Sequence, residues 1–403
     1  AYASLLQERR RAIHARVVEA FEALYPERVG EQANWLAHHA FRGEVWGKAV
    51  GYLRFIERAP AVSLDAVVGG SGSPGYLWWT GEHERAVRTA LRDAAIAADF
   101  RNFELAVVAD FRLGQAYHSL GDYPHAVEAL RRSIAPLEGD LARERFGMAG
   151  LPSVFARAWL ACCLAERGEF SAALATGEEA IQIAEAADHA YSLVVASYGL
   201  GSACLNRGDL SRAIAILERG LALAEVNEIP ILFPVVAAPL GAAYALAGKP
   251  PRGVELLDQA VDRARSNRWL ANESLRLAWL GRAALLAGER ERAAQLAERA
   301  LEGSRERKER GHEAYALRLT GEIAGPEHFE RAEGSLRQAR RMAEELGMRP
   351  LAAHCALALG RLAALAGQKA AAGAQFTWAA EMFRELGMPH ALAEVEAELA
   401  RGI

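Results

Sequence analysis

Glycines recur at a fixed interval in the second half of the chain, and this spacing constrains the fold more than any other feature. The first set comprises Gly201, Gly241, Gly281 and Gly321, each 40 residues apart, and Gly360, which follows after 39. A second set marks a turn seven residues later, and the same turn occurs earlier in the chain: Gly121, Gly168, Gly208, Gly248, Gly288 and Gly367. A regular period of this length is typical of proteins in which supersecondary units stack on their neighbours.

The residues around these glycines indicate what each unit is. Each repeat, for example 200–224 or 280–301, contains an apolar-periodic segment, a short turn and an amphipathic segment. We expect the first glycine to allow close helix approach and the second to adopt positive φ and end a helix. Four alanines are expected where the helices of a pair cross: Ala126, Ala172, Ala213 and Ala293. Strong helix formers dominate the composition and β-branched runs are short, which argues against sheets.

The repeat pattern, Trp or Leu, then Leu-Gly, then Tyr or Ala, with a later Gly-Asp, resembles the tetratricopeptide repeat. The resemblance is strongest over residues 107–138, 194–224 and 234–264. The period departs from the usual 34 residues, and longer pairs of this kind resemble the sensor arrays of bacterial signalling ATPases. We therefore predict an all-α, right-handed superhelical solenoid of tetratricopeptide-like helix pairs with a period of about 40 residues.

The chain divides into three predicted parts. Residues 1–58 form N-terminal helices, with the first ended by Pro26 and a turn at Gly43. Residues 59–75 form an irregular Gly/Ser linker, which is either a natural loop or a join. Residues 76–403 form the repeat array, with a capping helix at its end. Since the chain begins with Ala1, we expect it to be a piece of a longer protein.

Charge and composition exclude several classes of function. The net charge is −4, from 47 basic and 51 acidic residues, so no nucleic-acid binding is expected. There is no run of 18 apolar residues and no secretory signal, which predicts a cytoplasmic protein without a membrane span. The four cysteines are expected to be buried apolar residues: Cys162, Cys163, Cys204 and Cys355. The basic stretch from Arg305 to Arg310 is interpreted as a solvated helix end.

The motifs of common catalytic sites are missing from the sequence. The segment from Gly43 to Ala49 has the wrong spacing for a phosphate-binding loop, and neither HExxH nor GxSxG following a strand occurs. His38 and His39 are adjacent on a predicted helix and therefore point about 100° apart, which disfavours a shared metal ion. We predict a chain that is not an enzyme and that has no catalytic residues, metal or cofactor.

Longer stretches resemble the C-terminal region of bacterial class III adenylate/guanylate cyclases that carry a STAND-type signalling ATPase module. Residues 9–24 and 36–53 look like the junction between the ATPase and its repeats, and 113–123, 143–170, 186–201, 308–324 and 343–362 look like the repeat region. The Gly/Ser segment departs from the family. The resemblance implies a regulatory region whose catalytic domains lie outside this chain.

In tetratricopeptide arrays the first helix of each pair lines the inner groove. We identify the corresponding positions in this sequence by counting from the mid-helix glycine of each repeat. The selected groove residues are Phe111, Gln115, His118, Phe155, Tyr198, Asn206, Arg282, Tyr315, Arg318, Glu322, His354 and Arg361. The arginines are suited to a carboxylate or phosphate, although they could instead pair with Glu322 and neighbouring acids.

The hypothesis is therefore a protein-interaction and regulatory scaffold that binds a protein, a peptide or the rest of its own polypeptide along the groove. The alternatives are a small-molecule effector sensor and a structural spacer.

Overall fold

The computed structural model describes residues 2–26, 29, 33–45, 47–49 and 73–401. Within these residues the chain forms helices and no strand, so the predicted all-α class is confirmed. Two N-terminal helices, α1 (Tyr2–Leu24) and α2 (Ala33–Arg42), precede the array. Most of the predicted linker and the end of the second N-terminal pair lie outside the described residues. The array begins with α3 at Pro74, inside the segment predicted as linker.

The array is a solenoid of antiparallel helix pairs. The first helices of the pairs are α3 (Pro74–Trp79), α5 (Phe103–Leu120), α7 (Pro152–Arg167), α9 (Ala190–Arg207), α11 (Phe233–Leu246), α13 (Glu273–Leu286), α15 (Arg310–Ala324) and α17 (Arg349–Leu365). Their second helices are α4 (His83–Asp99), α6 (Tyr123–Ile134), α8 (Phe170–Ala186), α10 (Leu210–Val226), α12 (Pro250–Ser266), α14 (Arg290–Glu306), α16 (Phe329–Glu345) and α18 (Lys369–Leu386). The final helix, α19 (Pro389–Ala400), packs on α18.

A Gly-Asp dipeptide makes the turn between two helices of a pair. Gly208 ends α9 with φ of 90°, a left-handed conformation that only glycine adopts without strain. The next residue, Asp209, accepts a hydrogen bond from the backbone N–H of Arg212 and so caps the start of α10. Gly121 and Asp122 make the same turn between α5 and α6. Consecutive residues thus end one helix and begin the next.

The mid-helix glycine makes room for a large side chain from the second helix of the same pair. A β-carbon at Gly201 would lie 2.5 Å from Leu217 Cγ, and one at Gly241 would lie 2.7 Å from Leu257 Cγ. Gly360 faces Phe376 in the same way. The prediction that Ala172 lies at the crossing of its helix pair is wrong by one position. Ala172 is exposed, and Ala173 is the buried residue.

The superhelix closes on itself along a seam between residues 191–226 positions apart. The carboxylate of Glu309, at the start of α15, lies 3.0 Å from His83 Nε2 on α4, 226 residues away. Close by, Lys308 Nζ donates to Glu84, and the backbone N–H of Leu270 donates to the carbonyl of Trp79 at 2.8 Å. One superhelical turn therefore takes about five and a half periods of 40 residues.

The seam corrects one prediction about the basic stretch. The Arg307 side chain is only 10% exposed, and its guanidinium donates to Ser274 Oγ at 2.8 Å and lies 3.6 Å from Glu309. The expectation of a solvated helix end is wrong for this residue, because a neighbouring superhelical turn covers it. The cysteine prediction is confirmed, since all four thiols are free and buried.

Candidate functional site: the inner surface of the superhelix

A channel of about 670 Å³ follows the first helices of the later pairs. The predicted groove residues that line it are Asn206, Arg282, Arg318, Glu322, His354 and Arg361. A smaller recess of about 90 Å³ shares most of these residues and adds Tyr315 and Trp279. The channel continues to Met388 and Glu394 at the end of the array. Seven of the groove residues predicted from the sequence thus line the channel or its adjoining recess.

Two of the three arginines that the sequence placed in this channel already have carboxylate partners. Arg318 donates through Nε to Glu322 at 2.7 Å, one turn along the same helix. Arg361 donates to Glu394 at 2.8 Å and to Glu398 at 2.7 Å, both on α19. Both arginine pKa values are raised, although burial opposes this, because these carboxylates stabilise the cations. The alternative that these arginines pair with acids is therefore correct for Arg318 and Arg361.

Arg282 differs from them, because no carboxylate among the described residues forms an ion pair or hydrogen bond with it. Burial, followed by the positive charge of Arg318, lowers its pKa to about 10. The side chain is partly accessible and lines both the channel and the recess. Burial of this guanidinium therefore costs desolvation free energy. The negative charges of Glu322 and Glu394 offset part of that cost without contacting the guanidinium directly.

His354 lies among these cations as a neutral ring. Burial, followed by the charges of Arg318 and Arg282, holds its pKa well below the usual value. Its ring centroid is 4.9 Å from that of Phe383, which fixes one side of the imidazole against the core. In the channel, a neutral imidazole offers one hydrogen-bond donor and one acceptor without adding positive charge.

A buried carboxylate that sequence reasoning missed joins two superhelical turns below this recess. Glu166 on α7 accepts a hydrogen bond from Tyr315 at 2.9 Å and one from Asn206 at 3.1 Å. Burial raises its pKa above the usual value, and the two hydrogen bonds partly offset that effect. These hydrogen bonds fix the positions of Tyr315 and Asn206, and both side chains line the recess. No local sequence signal connects residues 149 positions apart.

A second cavity, of about 330 Å³, lies among the earlier pairs and is lined mainly by apolar side chains. We call it the aromatic cavity. The predicted residues Phe111, Gln115 and Phe155 line it. Sequence reasoning missed its other aromatic walls, Trp159 and Tyr191 among them, because the count from the glycine selects only a few positions per helix.

The remaining two groove predictions lie outside both spaces. Tyr198 borders a small gap of about 20 Å³ between Trp159 and Trp279, which separates the aromatic cavity from the recess. His118 lines none of these spaces and is buried beside the Tyr123 ring, at 5.8 Å between centroids. Burial, and then the nearby His312, lower its pKa to about 3. His118 is therefore a core residue near the seam.

Comparison with known proteins agrees with the fold. Residues 111–142 match the tetratricopeptide repeat family. A Rap protein crystallised with competence and sporulation factor is 15% identical, with a TM-score of 0.53 over 85% of this chain and 99% of that chain. The Rap conjugation gene regulator of a plasmid, solved with a bound peptide, is 14% identical, with a TM-score of 0.56 over 90% of this chain and 97% of that one. At these identities the likeness shows a shared solenoid fold.

A STAND protein with a tetratricopeptide repeat sensor from Pyrococcus horikoshii is 14% identical and covers 90% of this chain and 55% of that one, at a TM-score of 0.41. That score is too low to support a structural argument. None of the curated proteins matches the chain. The matched family is a repeat family and not a catalytic one.

No described helix is both long and apolar enough to span a membrane. The described residues also contain no cluster of metal-binding side chains.

Proposed function

We propose that this chain is a non-catalytic regulatory scaffold that binds an extended peptide segment of a protein partner, or of its own parent polypeptide, in the channel of α9 to α19. The observation that carries the proposal is the unpaired guanidinium of Arg282 on the channel wall. An arginine held in this way gains a bidentate, charge-assisted pair when a carboxylate arrives. We assign that carboxylate to the C-terminus or an acidic side chain of the peptide.

The length of the channel supports a peptide rather than a compact ligand. Its walls come from the first helices of successive pairs, from Leu205 on α9 to Glu394 on α19. Packed helices lie about 8–10 Å apart, so the ends of this lining are several helix diameters apart along the array. An extended peptide rises about 3.3 Å per residue and suits such a path. Leucines between the polar groups offer contacts for apolar side chains of the peptide: Leu205, Leu246, Leu286, Leu357 and Leu362.

The test is selection from a hexapeptide library with free C-terminal carboxylates, compared with the same library amidated. Bound peptides are identified by mass spectrometry, and their affinities are measured by fluorescence anisotropy. Arg282→Met is expected to weaken binding at least tenfold, because one charge-assisted pair contributes about 1.5–3 kcal/mol. Arg219→Met is the matched control, since Arg219 lies 56% exposed on the second helix α10 and pairs there with Glu185.

The two libraries separate two parts of the proposal. If free and amidated peptides bind equally and Arg282→Met still weakens both, the carboxylate is a side chain of the peptide. If no peptide is selected, or if Arg282→Met binds as well as Arg219→Met, the peptide proposal is wrong.

A small-molecule effector in the same site is the second candidate. The recess of about 90 Å³ brings Arg282, Tyr315 and His354 together and holds about three water-sized volumes of 30 Å³. That space suits a small anion such as inorganic phosphate. Stabilisation of the chain by phosphate that is lost in Arg282→Met, with no peptide selected, would favour this candidate.

We further propose that the array regulates an attached STAND-type ATPase and cyclase. Support comes from the sequence resemblance of residues 9–24 to the junction between the ATPase and its repeats, and of residues 143–170 and 343–362 to the repeat region of those cyclases. Ligand binding in the channel would then change cyclic nucleotide production by the parent polypeptide. The measurement is that production with and without a selected peptide, in the wild type and in Arg282→Met. An output that ignores the peptide contradicts the regulatory link.

A further inference from the structure

The second cavity has the composition of a ligand site, with mainly apolar walls and one arginine among the described residues that line it. Its walls come from five successive parts of the array, so the cavity exists only because the superhelix curves around it. These parts are Trp79 on α3, Phe111 to Gln115 on α5, Phe155 and Trp159 on α7, Tyr191 and Val195 on α9, and Ile229 to Val235 before and within α11. Its volume of about 330 Å³ corresponds to about eleven water-sized volumes and falls in the range of small-molecule sites.

The aromatic walls contact one another and form a continuous apolar surface. The ring centroids of Phe111 and Phe155 are 5.7 Å apart, and those of Phe155 and Tyr191 are 5.8 Å apart in a stacked arrangement. Trp159 meets Phe111 edge-on at 5.8 Å. These contacts hold the rings in place, so the apolar walls of the cavity do not depend on a ligand to form.

Arg112 brings a positive charge into this apolar space. A guanidinium nitrogen donates a hydrogen bond to Gln115 Oε1 at 2.8 Å, and the guanidinium carbon lies 5.1 Å from the Phe111 centroid. Among the described residues no carboxylate pairs with it. Asp93 also lines the cavity but forms no ion pair with Arg112. Burial lowers the pKa of Arg112 to about 10.

We infer that this cavity binds a small amphipathic carboxylate, with its apolar body against the aromatic rings and its carboxylate on Arg112. An arginine presents its donors in a planar fork that matches a carboxylate, and it remains charged at neutral pH. The apolar walls favour an aromatic or branched hydrocarbon body over a sugar or a nucleotide. Gln115 is 2% exposed and holds Arg112 through one nitrogen, which leaves the rest of the fork for the ligand.

This site is separate from the proposed peptide channel. The small gap beside Tyr198, with Trp159 and Trp279 as its neighbours, lies between the two. No charged group lines both spaces, since Arg112 belongs to the aromatic cavity and Arg282 to the channel. The aromatic cavity also includes Phe41, from helix α2, in its wall. A ligand there therefore contacts an N-terminal helix and the array together.

The test uses three probes of matched shape on the full chain: 1-naphthylacetate, its neutral amide, and 1-methylnaphthalene. Binding is measured by calorimetry and by displacement of anilinonaphthalene sulfonate fluorescence. The carboxylate is expected to bind at least tenfold more tightly than the amide. Arg112→Met is expected to remove that preference and leave amide binding unchanged. Arg131→Met, on the exposed face of α6, is the matched control and is expected to change neither.

A second variant keeps the proposal testable if Arg112→Met does not fold. Val195 is buried and lines the cavity, so Val195→Phe is expected to fill it and abolish binding of all three probes while Arg112 stays in place. Equal binding of carboxylate and amide to the wild type would overturn the role of Arg112. Failure of every probe to bind, or binding that survives Val195→Phe, would overturn the site itself.

Discussion

Removing the charge of Glu309 is expected to open the seam between superhelical turns. Its side chain is fully buried, and its carboxylate lies 3.0 Å from His83 Nε2 and 3.2 Å from His312 Nδ1. Glu309→Gln keeps the shape but replaces one acceptor oxygen with a donor. Of these two histidines only His83 lies across the seam, and a hydrogen bond to a charged group contributes about 1.5–3 kcal/mol. That is a factor of about 10–100 in the equilibrium for opening the seam.

The assay is hydrogen exchange at the seam itself, because repeat arrays unfold in parts and a single global free energy of unfolding is poorly defined. The backbone N–H groups of Leu270 and Ala271 donate across the seam to Trp79. Their exchange is expected to be about 10- to 100-fold faster in Glu309→Gln. Glu345→Gln is the control, since Glu345 is 62% exposed where it pairs with Arg310, and we expect little change there. Equal exchange in the two variants would refute the reasoning.

The same carboxylate gives the seam a pH dependence of known sign. The neighbouring His312 and His83 lower the pKa of Glu309 below 4.5, although burial opposes this. A depressed carboxyl pKa stabilises the folded state above the unfolded value, and the stability is lost as pH falls through the folded value. After correction for intrinsic rates, exchange at Leu270 is expected to rise below about pH 4.5 in the wild type and less steeply in Glu309→Gln. Parallel pH profiles would contradict this.

Two further predictions concern the core. Gly201→Ala places a methyl group against Leu217 and is expected to cost about 1–3 kcal/mol, whereas Gly334→Ala, in a helix with nothing within 4 Å, is expected to stabilise by about 0.5–1 kcal/mol. Urea unfolding followed by circular dichroism compares them, and equal effects would contradict the packing role of Gly201. Burial raises the thiol pKa of Cys162 and Cys355 to about 12, so Ellman's reagent is expected to react with the cysteines only after unfolding. Rapid reaction in the native chain would show that these thiols are accessible.

The sequence could predict the repeat unit because that unit is local. The fit of Leu217 over Gly201 and the Gly208-Asp209 turn depend on residues within one pair. Counting from the glycine selects residues of the first helices, and the structure places Arg282, Arg318 and His354 around one recess. The pairing of Arg318 with Glu322, one turn along the same helix, is local and could be expected from the sequence. The partners of Arg361 could not, because both lie on α19.

The rest depends on the pitch of the superhelix, which no short segment encodes. Small rotations between successive pairs accumulate over more than five pairs before Glu309 meets His83. The burial of Arg307 and the hydrogen bond from Tyr315 to Glu166 arise in the same way. The aromatic cavity also needs that curvature, so Arg112 has no local signal that distinguishes it from a surface arginine.

The seam also fixes the number of helix pairs between its two sides. An open repeat array tolerates the gain or loss of a unit, because each unit contacts only its neighbours. Here Tyr123 on α6 reaches Met348, just before α17, and Arg207 on α9 reaches the carbonyl of Gly387, which follows α18. Inserting one pair between these points would move every later contact by one position and leave charged groups such as Glu309 opposite the wrong partners. The number of pairs in this segment is therefore set by the contacts across the seam.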